Sequence, residues 1–293
     1  MQFEAIRVIT WSVEDPTASL AAFTGALGLR EVASGQLSER QAIAWGLPSM
    51  AGSPFAAVMS TDRPRVLLRF VGCDASAPVA PLSTFGWNAA ELHVRDVNAL
   101  AGRLQAGPFE IIGPPRDLLG NGAVQAMQVL GPGSELLYLT QISQSGMQHT
   151  YGRAAAEVGR PFIVVLGVRD QARTLAHYQP LARFSTDPRD FRITVLARAH
   201  GMNPETSHFR IASLVMRQPF RIETDAYPPS AVERPGAEGR LPPGLSLVTA
   251  TFSGEAEGRF FAGMHRGPDG EWIELLPAGG EEEKELLGAG QLA

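Results

Sequence analysis

The sequence predicts an α+β fold built from tandem βαβββ modules, and three observations lead there. Two hairpins resemble each other: Leu130–Leu139 (LGPGSELLYL) and His265–Leu276 (HRGPDGEWIELL) each run through a Gly-Pro turn into an apolar strand. Three strand-to-helix junctions share a Val-x-Asp core, at Val13-Glu14-Asp15, Val94-Arg95-Asp96 and Val168-Arg169-Asp170. Between these markers the same order of strand, helix and meander recurs, the signature of a duplicated supersecondary unit.

The first module opens with Glu4–Val13, where Ile6, Val8, Thr10 and Ser12 alternate with Ile9, Trp11 and Val13 in the manner of a half-buried strand. Asp15-Pro16-Thr17 reads as an N-cap followed by a proline in the first helical turn. Leu20, Phe23 and Leu27 then recur at helical spacing, and Gly28 supplies the stop. Leu29–Ser34, Phe55–Ser60 and Arg65–Val71 complete the module as strands.

Pro- and Ala-rich Ala75–Pro81 reads as a linker, after which the order begins again. Trp87–Val94 is a strand, Asp96 an N-cap and Val97–Leu104 a short helix. Phe109–Ile112, Ala123–Leu130 and Glu135–Ile142 form the meander, with Gly120-Asn121-Gly122 as a turn. Ser143–Gly159, rich in Ser, Gly and Ala, marks a boundary between a first domain at 1–146 and a second at 158–278, with a polar tail at 279–293.

The third module starts with the strand Phe162–Val168, the cap Asp170 and a helix over Gln171–Gln179 that Pro180 stops. Arg192–Ala199 and His208–Met216 read as strands, and Pro219–Pro243 as a long Pro-rich stretch where a fourth helix belongs. Leu245–Phe252, Arg259–His265 and Glu271–Leu276 form the last meander. The fourth module therefore starts either at His208, having lost its helix, or at Leu245 in abbreviated form. The second half is irregular on either reading.

Composition narrows the function. The 293 residues are 44% hydrophobic and 19% charged, the balance of a globular protein with a sizeable core. A formal net charge of −5 leaves no electrostatic footprint for nucleic acid. No apolar run approaches the roughly 18 residues that span a bilayer, MQFEAIRV lacks a signal-peptide layout, and the single Cys73 cannot pair internally. A reducing, cytoplasmic setting is the expectation. Lys284, the sole lysine, sits in the polar tail, which argues against Schiff-base chemistry. No Walker loop, GxGxxG fingerprint, nucleophile elbow or CxxC pair is present. The expected partner is a small-molecule substrate, with a homodimer as the possible assembly.

A strand, Val-x-Asp, a helix and three strands, repeated, with the G-P-D-G-x-x-I-E hairpin closing a module, resembles the vicinal oxygen chelate superfamily. That group contains glyoxalase I, bleomycin-resistance proteins, fosfomycin-resistance enzymes and extradiol dioxygenases. The resemblance covers most of Phe3–Leu276, and it implies paired βαβββ modules curled into open barrels around clefts. It also implies a divalent metal held by a first-strand histidine and a last-strand glutamate. Transferred by position, the histidine sites are Val8, Ala89 and Ile163, and the glutamate sites are Tyr138 and Glu274. Only Glu274 matches, so no metal or other cofactor is expected, unless His208 and His265 join Glu274 as a metal set in the second half. The bland alternative is that both histidines are surface or hydrogen-bonded groups.

Strand alternation places Thr10, Ser12, Glu91, His93, Leu136, Tyr138 and Thr140 on the face of the missing ligands. Glu91 and His93, walled by apolar neighbours, with the Tyr138 hydroxyl, form the candidate acid–base set. Thr10, Ser12, Leu136 and Trp272 are the candidate substrate contacts. The second half offers a weakly polar lining, Ile163, Val165, Gly167, Leu247, Thr249 and Thr251, suited to a hydrophobic or aromatic ligand. The expected function is a small-molecule enzyme using metal-independent acid–base chemistry, as an isomerase, lyase or hydrolase of a carbonyl, lactone or aromatic compound. The alternatives are a metal-dependent, extradiol-dioxygenase-like oxidoreductase working from the second half, and a non-catalytic binding or resistance protein. The first half is expected to do the work, the second to close the pocket.

Overall fold

Four modules, each beginning with a strand, build two curled sheets in the computed structural model, which describes residues 1–73, 79–217, 219–236, 238–255 and 258–288. Module one contains β1 (Gln2–Val13), α1 (Pro16–Gly25), β2 (Arg30–Gln36), α2 (Glu39–Ala44), a 3-10 turn at Pro48–Met50, β3 (Pro54–Met59) and β4 (Leu67–Gly72). Module two contains β5 (Gly86–Val94), α3 (Val97–Leu104), β6 (Glu110–Asp117), β7 (Val124–Leu130) and β8 (Leu136–Ile142). Helix α4 (Ser145–Tyr151) leads into module three. That module comprises β9 (Val158–Val168), α5 (Gln171–Tyr178), β10 (Phe184–Ser185), β11 (Arg189–Phe191), α6 (Thr194–Ala199), β12 (Phe209–Val215) and β13 (Arg221–Ala226). Module four has no helix of its own: β14 (Gly244–Ser253), β15 (Gly263–Arg266) and β16 (Trp272–Pro277), followed by α7 (Glu281–Gly288). The expected linker Ala75–Pro81 lies outside the described residues as far as Pro78, as do the last five positions of the polar tail.

The three junction aspartates cap their helices. Asp15 Oδ1 accepts from the Thr17 and Ala18 amides at 2.8 and 3.2 Å, Asp96 Oδ1 from Asn98 and Ala99 at 3.0 and 2.9 Å, and Asp170 Oδ1 from Arg173 at 3.0 Å. Each satisfies amides that the first helical turn leaves without partners.

Within every module the first strand runs parallel to the last: β1 with β4, β5 with β8, β9 with β13 and β14 with β16. That leaves the other edge of each first strand open, and an open edge of N–H and C=O groups demands a partner. The partner comes from the opposite half of the chain. β1 pairs antiparallel with β14 and β5 with β9, giving a seven-stranded sheet from modules one and four and a nine-stranded sheet from modules two and three. The sequential halves 1–146 and 158–278 are therefore not the units of the sheets. Alternation in a strand reveals its faces but not which strand will sit on its edge.

The outer faces of both sheets share one core with the helices, including Trp11, Phe23, Phe70 and Phe109 on one side and Trp87, Val164, Tyr178 and Phe260 on the other. The two look-alike hairpins tie it together. Glu135 accepts from the Ser19 hydroxyl of α1 and from the Gly133 amide at 2.8 Å, and Glu271 accepts from the Tyr178 hydroxyl of α5 at 2.8 Å and the Asp269 amide at 2.9 Å. Each hairpin thus anchors the helix of the preceding module. The inner faces are left to form two separate clefts.

Several expectations change. Arg192–Ala199 is not a strand: Thr194–Ala199 is helix α6, its Val195, Leu196 and Ala197 buried, and a short apolar run does not reveal its period. Pro219–Pro243 hides strand β13, and the fourth module begins at β14, not at His208. Helices α2 and α4 were unforeseen, and the tail carries α7, whose Glu283 accepts from Arg7 and from the Gly279 amide. Among the described residues no helix is long and apolar enough to cross a membrane.

Candidate active site

The parallel ladders bring four last-strand residues into equivalent positions: Arg69 opposite Thr10, Tyr138 opposite Glu91, Glu223 opposite Val165 and Glu274 opposite Thr249. Where these side chains point decides what each cleft can do.

The seven-stranded cleft is filled. The α2 insertion sends Leu37, Ala42, Trp45, Leu47 and Met50 against Val71, Leu241 and Leu247. Trp45 Nε1 donates to Glu274 Oε1 at 3.2 Å, and Thr249 Oγ1 donates to Glu274 Oε2 at 2.7 Å. Arg69 donates to Thr10 Oγ1 at 3.1 and 3.0 Å and lies 4.6 Å from the centroid of the Trp45 ring. Burial lowers the Arg69 pKa to about 10, opposed by the charge of Glu274. Ser12 Oγ donates to Ser246 Oγ at 3.1 Å, and Trp272 packs on the same apolar cluster. Thr10, Ser12 and Trp272 are therefore occupied in this cleft and do not stand beside Glu91. Glu274 serves the interior.

The nine-stranded cleft is open. A cavity of about 550 Å³ lies over its inner face, covered by α4 and by the segment that carries β11 and α6. Glu91, Tyr138, Thr140, Phe162 and Glu223 form its wall, and Arg192 and Arg198 of the cover line it from above. Thr140 Oγ1 donates to Glu91 Oε1 at 2.5 Å. Burial pushes the Glu91 carboxyl up to about 7, against that hydrogen bond. Glu223 is raised well above the carboxylate range by burial and by its carboxylate neighbours Asp225 and Glu91. Burial and Glu91 together raise Asp225 to about 8. The nearby cation is Arg221, whose guanidinium lies 4.5 Å from the Tyr151 ring centroid and opposes the rise at Glu223. Neither carboxyl oxygen of Asp225, nor the hydroxyl of Tyr138 or Tyr227, has a hydrogen-bond partner among the described residues.

His93 plays a different part from the one expected. Its ring stacks on Phe162 with centroids 3.7 Å apart, and Nε2 meets the Tyr151 carbonyl at 3.0 Å, so that nitrogen carries the proton. Burial, with the charge of Arg160, depresses its pKa to about 3 against the Tyr151 hydrogen bond. It sits behind the wall and holds α4, and Leu136 is likewise buried in the apolar cluster behind the cavity. Glu223, Asp225, Arg221 and Tyr227 were missed. Their signal was legible in Arg221-Ile222-Glu223-Thr224-Asp225, where charged residues alternate with others, but the flanking prolines disguised it as a loop.

The proposed metal set does not assemble. His208 precedes β12 in the nine-stranded sheet, with Nδ1 3.0 Å from the Thr206 carbonyl, whereas Glu274 belongs to the seven-stranded sheet. His265 pairs with Ile273 and Met264 with Glu274, so the hairpin register turns His265 away from Glu274. At the family's first-strand positions stand Val8, Ala89 and Ile163, and Leu247 occupies the same place opposite module four's last strand. At the last-strand positions a guanidinium and a phenol replace two carboxylates. The family's ligand set does not fit these residues, and among those described no group of three or more His, Cys, Asp or Glu is placed to hold a metal ion.

No family model matches the sequence, and no curated protein matches it. Solved structures do match. Glyoxalase I from Zea mays superposes with a TM-score of 0.61 at 11% identity, covering 98% of this chain and 96% of that one. A "putative dioxygenase" from Bacillus subtilis gives a TM-score of 0.61 at 11% identity, covering 99% of this chain and 91% of that one. At such identity the likeness is one of fold. Four modules paired into two open barrels, matched along nearly the whole chain, give this protein the vicinal oxygen chelate fold.

Proposed function

We propose that the chain is a small-molecule enzyme that moves a proton on a carbonyl substrate bound in the nine-stranded cleft, with Glu91 as the base and Tyr138 as the donor to the substrate oxygen. The observation that carries this reading is their placement: they face each other in register on adjacent parallel strands, both on the cavity wall, and the Tyr138 hydroxyl has no partner among the described residues. A base with a pKa near 7 is half deprotonated at neutral pH, where general catalysis is most effective.

In this mechanism the Glu91 carboxylate takes a proton from the carbon next to the carbonyl. The electron pair moves onto the carbonyl oxygen as an enolate, and the Tyr138 O–H stabilises that charge. On an α-hydroxycarbonyl substrate the enolate oxygen takes the Tyr138 proton, and the α-hydroxyl gives its own proton to the Tyr138 phenolate as it becomes the new carbonyl. Glu91 returns its proton to the former carbonyl carbon, a net isomerisation. Where a leaving group stands on the carbon β to the carbonyl, the enolate expels it instead, a lyase step. Thr140 holds one Glu91 oxygen and leaves the other for the substrate. His93 is a positioning residue: by fixing Tyr151 and Phe162 it sets the cover that keeps water out. The metal-independent character of the reading rests on the donor set of this cleft, where Ala89, Ile163 and Tyr138 stand at three ligand positions and only Glu223 offers a carboxylate.

The test is deuterium incorporation, followed by NMR, into a panel of aromatic and aliphatic α-hydroxyketones in deuterated water. Exchange by the wild type is expected to fall by about 10²-fold or more in Glu91→Gln. Ketones that bind the wild type without any exchange would refute the enzymatic reading in favour of a binding protein.

A further inference from the structure

The proposed site also carries information about the kind of molecule it takes, an inference that rests on that reading. The nine-stranded cleft gathers three carboxyl groups, Glu91, Glu223 and Asp225, all raised by burial, with neighbouring carboxylates adding to the rise at Glu223 and Asp225. One oxygen of Glu91 is held by Thr140. Glu223 lines the cavity, and Asp225, two positions further along β13, is fully buried with both oxygens unpartnered. Two phenols stand with them. Tyr138 is 7% exposed and Tyr227 6% exposed, and neither hydroxyl has a partner among the described residues.

A buried polar atom without a partner costs free energy, and four of the six such atoms among the described residues lie on Tyr138, Asp225 and Tyr227. The backbone even makes room for them. At Gly167 a Cβ would lie 2.8 Å from ring atoms of Tyr227, so only glycine lets that ring lie across β9 next to Asp225. The cations that line the cavity, Arg116, Arg192 and Arg198, belong to β6 and to the cover, and none of them pairs with Glu223 or Asp225 among the described residues. Arg221 lies over the Tyr151 ring and enters no ion pair among the described residues, Arg160 bonds the Arg63 and Pro161 carbonyls, and Arg234 bonds those of Trp87 and Leu245. Arg192 pairs with Glu205 at 3.1 Å.

We infer that the cavity selects an organic cation, an amine whose ammonium group lies at Glu223 beside the Tyr138 ring, with Asp225 and Tyr227 buried next to that wall and the amine's apolar body along Phe162 and Ile211. Carboxyl oxygens and phenol oxygens accept ammonium N–H groups, and aromatic faces attract the cation. One amine satisfies the unpartnered Tyr138 hydroxyl and the Glu223 carboxyl together, and its charge favours the ionised form of Asp225 next to them. Glu91 remains free to act as the base, which makes α-aminoketones the matching substrate class.

The experiment is calorimetric titration of the full chain with phenethylamine and with its neutral counterpart phenethyl alcohol, at about pH 8. The amine is expected to bind at least tenfold more tightly than the alcohol. Glu223→Gln and Asp225→Asn should each weaken the amine at least tenfold and leave the alcohol unchanged. Glu223→Gln keeps its shape and faces the cavity, so it tests the idea even where Asp225→Asn disturbs folding. Equal or tighter binding of the alcohol overturns the inference, as does amine binding that is indifferent to Glu223→Gln. Phenacylamine and a neutral hydroxyketone separate the two readings. Glu91-dependent exchange of the neutral ketone without preference for amines keeps the enzyme and removes the cation site. Tight phenacylamine binding without exchange does the reverse.

Discussion

The indole of Trp45 donates a 3.2 Å hydrogen bond to the carboxylate of Glu274, and through it an inserted helix closes one of the two barrels. The same carboxylate is the one buried counter-charge that supports the Arg69 guanidinium. Fold symmetry makes Arg69 and Glu274 equivalents of Tyr138 and Glu223, yet one pair stabilises the interior and the other faces a cavity.

Glu274→Ala is accordingly expected to damage stability and leave the other cleft alone. Removing Glu274 leaves the buried Trp45 and Thr249 donors unpaired and takes a nearby counter-charge from Arg69, at a cost of about 1–3 kcal/mol per stranded group. Urea unfolding would record the loss, while ligand affinity in the nine-stranded cleft stays within about twofold under conditions where the variant is folded. An affinity that collapses with the fold intact would mean that Glu274 reaches the ligand after all.

Buried carboxyls impose a pH dependence whose sign can be worked out. Asp225 has a folded pKa of about 8 against an ordinary 3.8, and Glu91 and Glu271 lie at about 7 against 4.5. Above the ordinary values the unfolded chain releases protons that the folded chain keeps, so stability from these groups is fully present at low pH and declines as pH rises. For Asp225 the decline runs from about 4 to about 8 and is flat beyond. Asp225→Asn should therefore melt higher than the wild type at about pH 8.5, with the gap closing towards about pH 4. A gap that does not change with pH would show that Asp225 keeps no proton on folding.

Gly167→Ala offers a geometric test. The added Cβ would meet the Tyr227 ring at 2.8 Å and Asn88 Nδ2 at 2.8 Å, and in a packed interior such overlap costs about 1–3 kcal/mol. The positions that must yield are those beside Asp225. A lowered melting temperature together with a weakened ligand is expected, because the shift of Tyr227 is passed to Asp225 and the cavity wall beside it. Lowered stability with unchanged affinity would separate Tyr227 from the binding site.

Much of this architecture was legible because it is local. Val-x-Asp marks a strand end and a cap within a few residues, and Gly-Pro turns announce the hairpins, so the modules emerged in order. The pairing of β1 with β14 and β5 with β9 did not, since the partner of a strand edge lies far away in sequence and no side-chain pattern names it. Glu91 and Tyr138 were placed together correctly because β5 and β8 belong to one module. Thr10 and Trp272 were misplaced, for their cleft is filled by Trp45, which lies in a helical insertion between β2 and β3 that the βαβββ pattern does not announce. Glu223 and Asp225 escaped notice because module three carries its last strand inside a Pro-rich stretch.

His93 separates a residue that holds the site from one that performs the chemistry. Its Nε2 bond to Tyr151, its stacking on Phe162 and its pKa of about 3 leave a neutral ring that neither titrates near pH 7 nor lines the cavity. A base at this position would give a variant with collapsed kcat. A positioning residue gives one with a displaced cover and weakened binding. His93→Gln is therefore expected to raise KM about tenfold while kcat stays within a few-fold and the pH–rate limb near 7 persists, since Glu91 still supplies it. Loss of that limb in His93→Gln, with the fold intact, would transfer the base from Glu91 to His93.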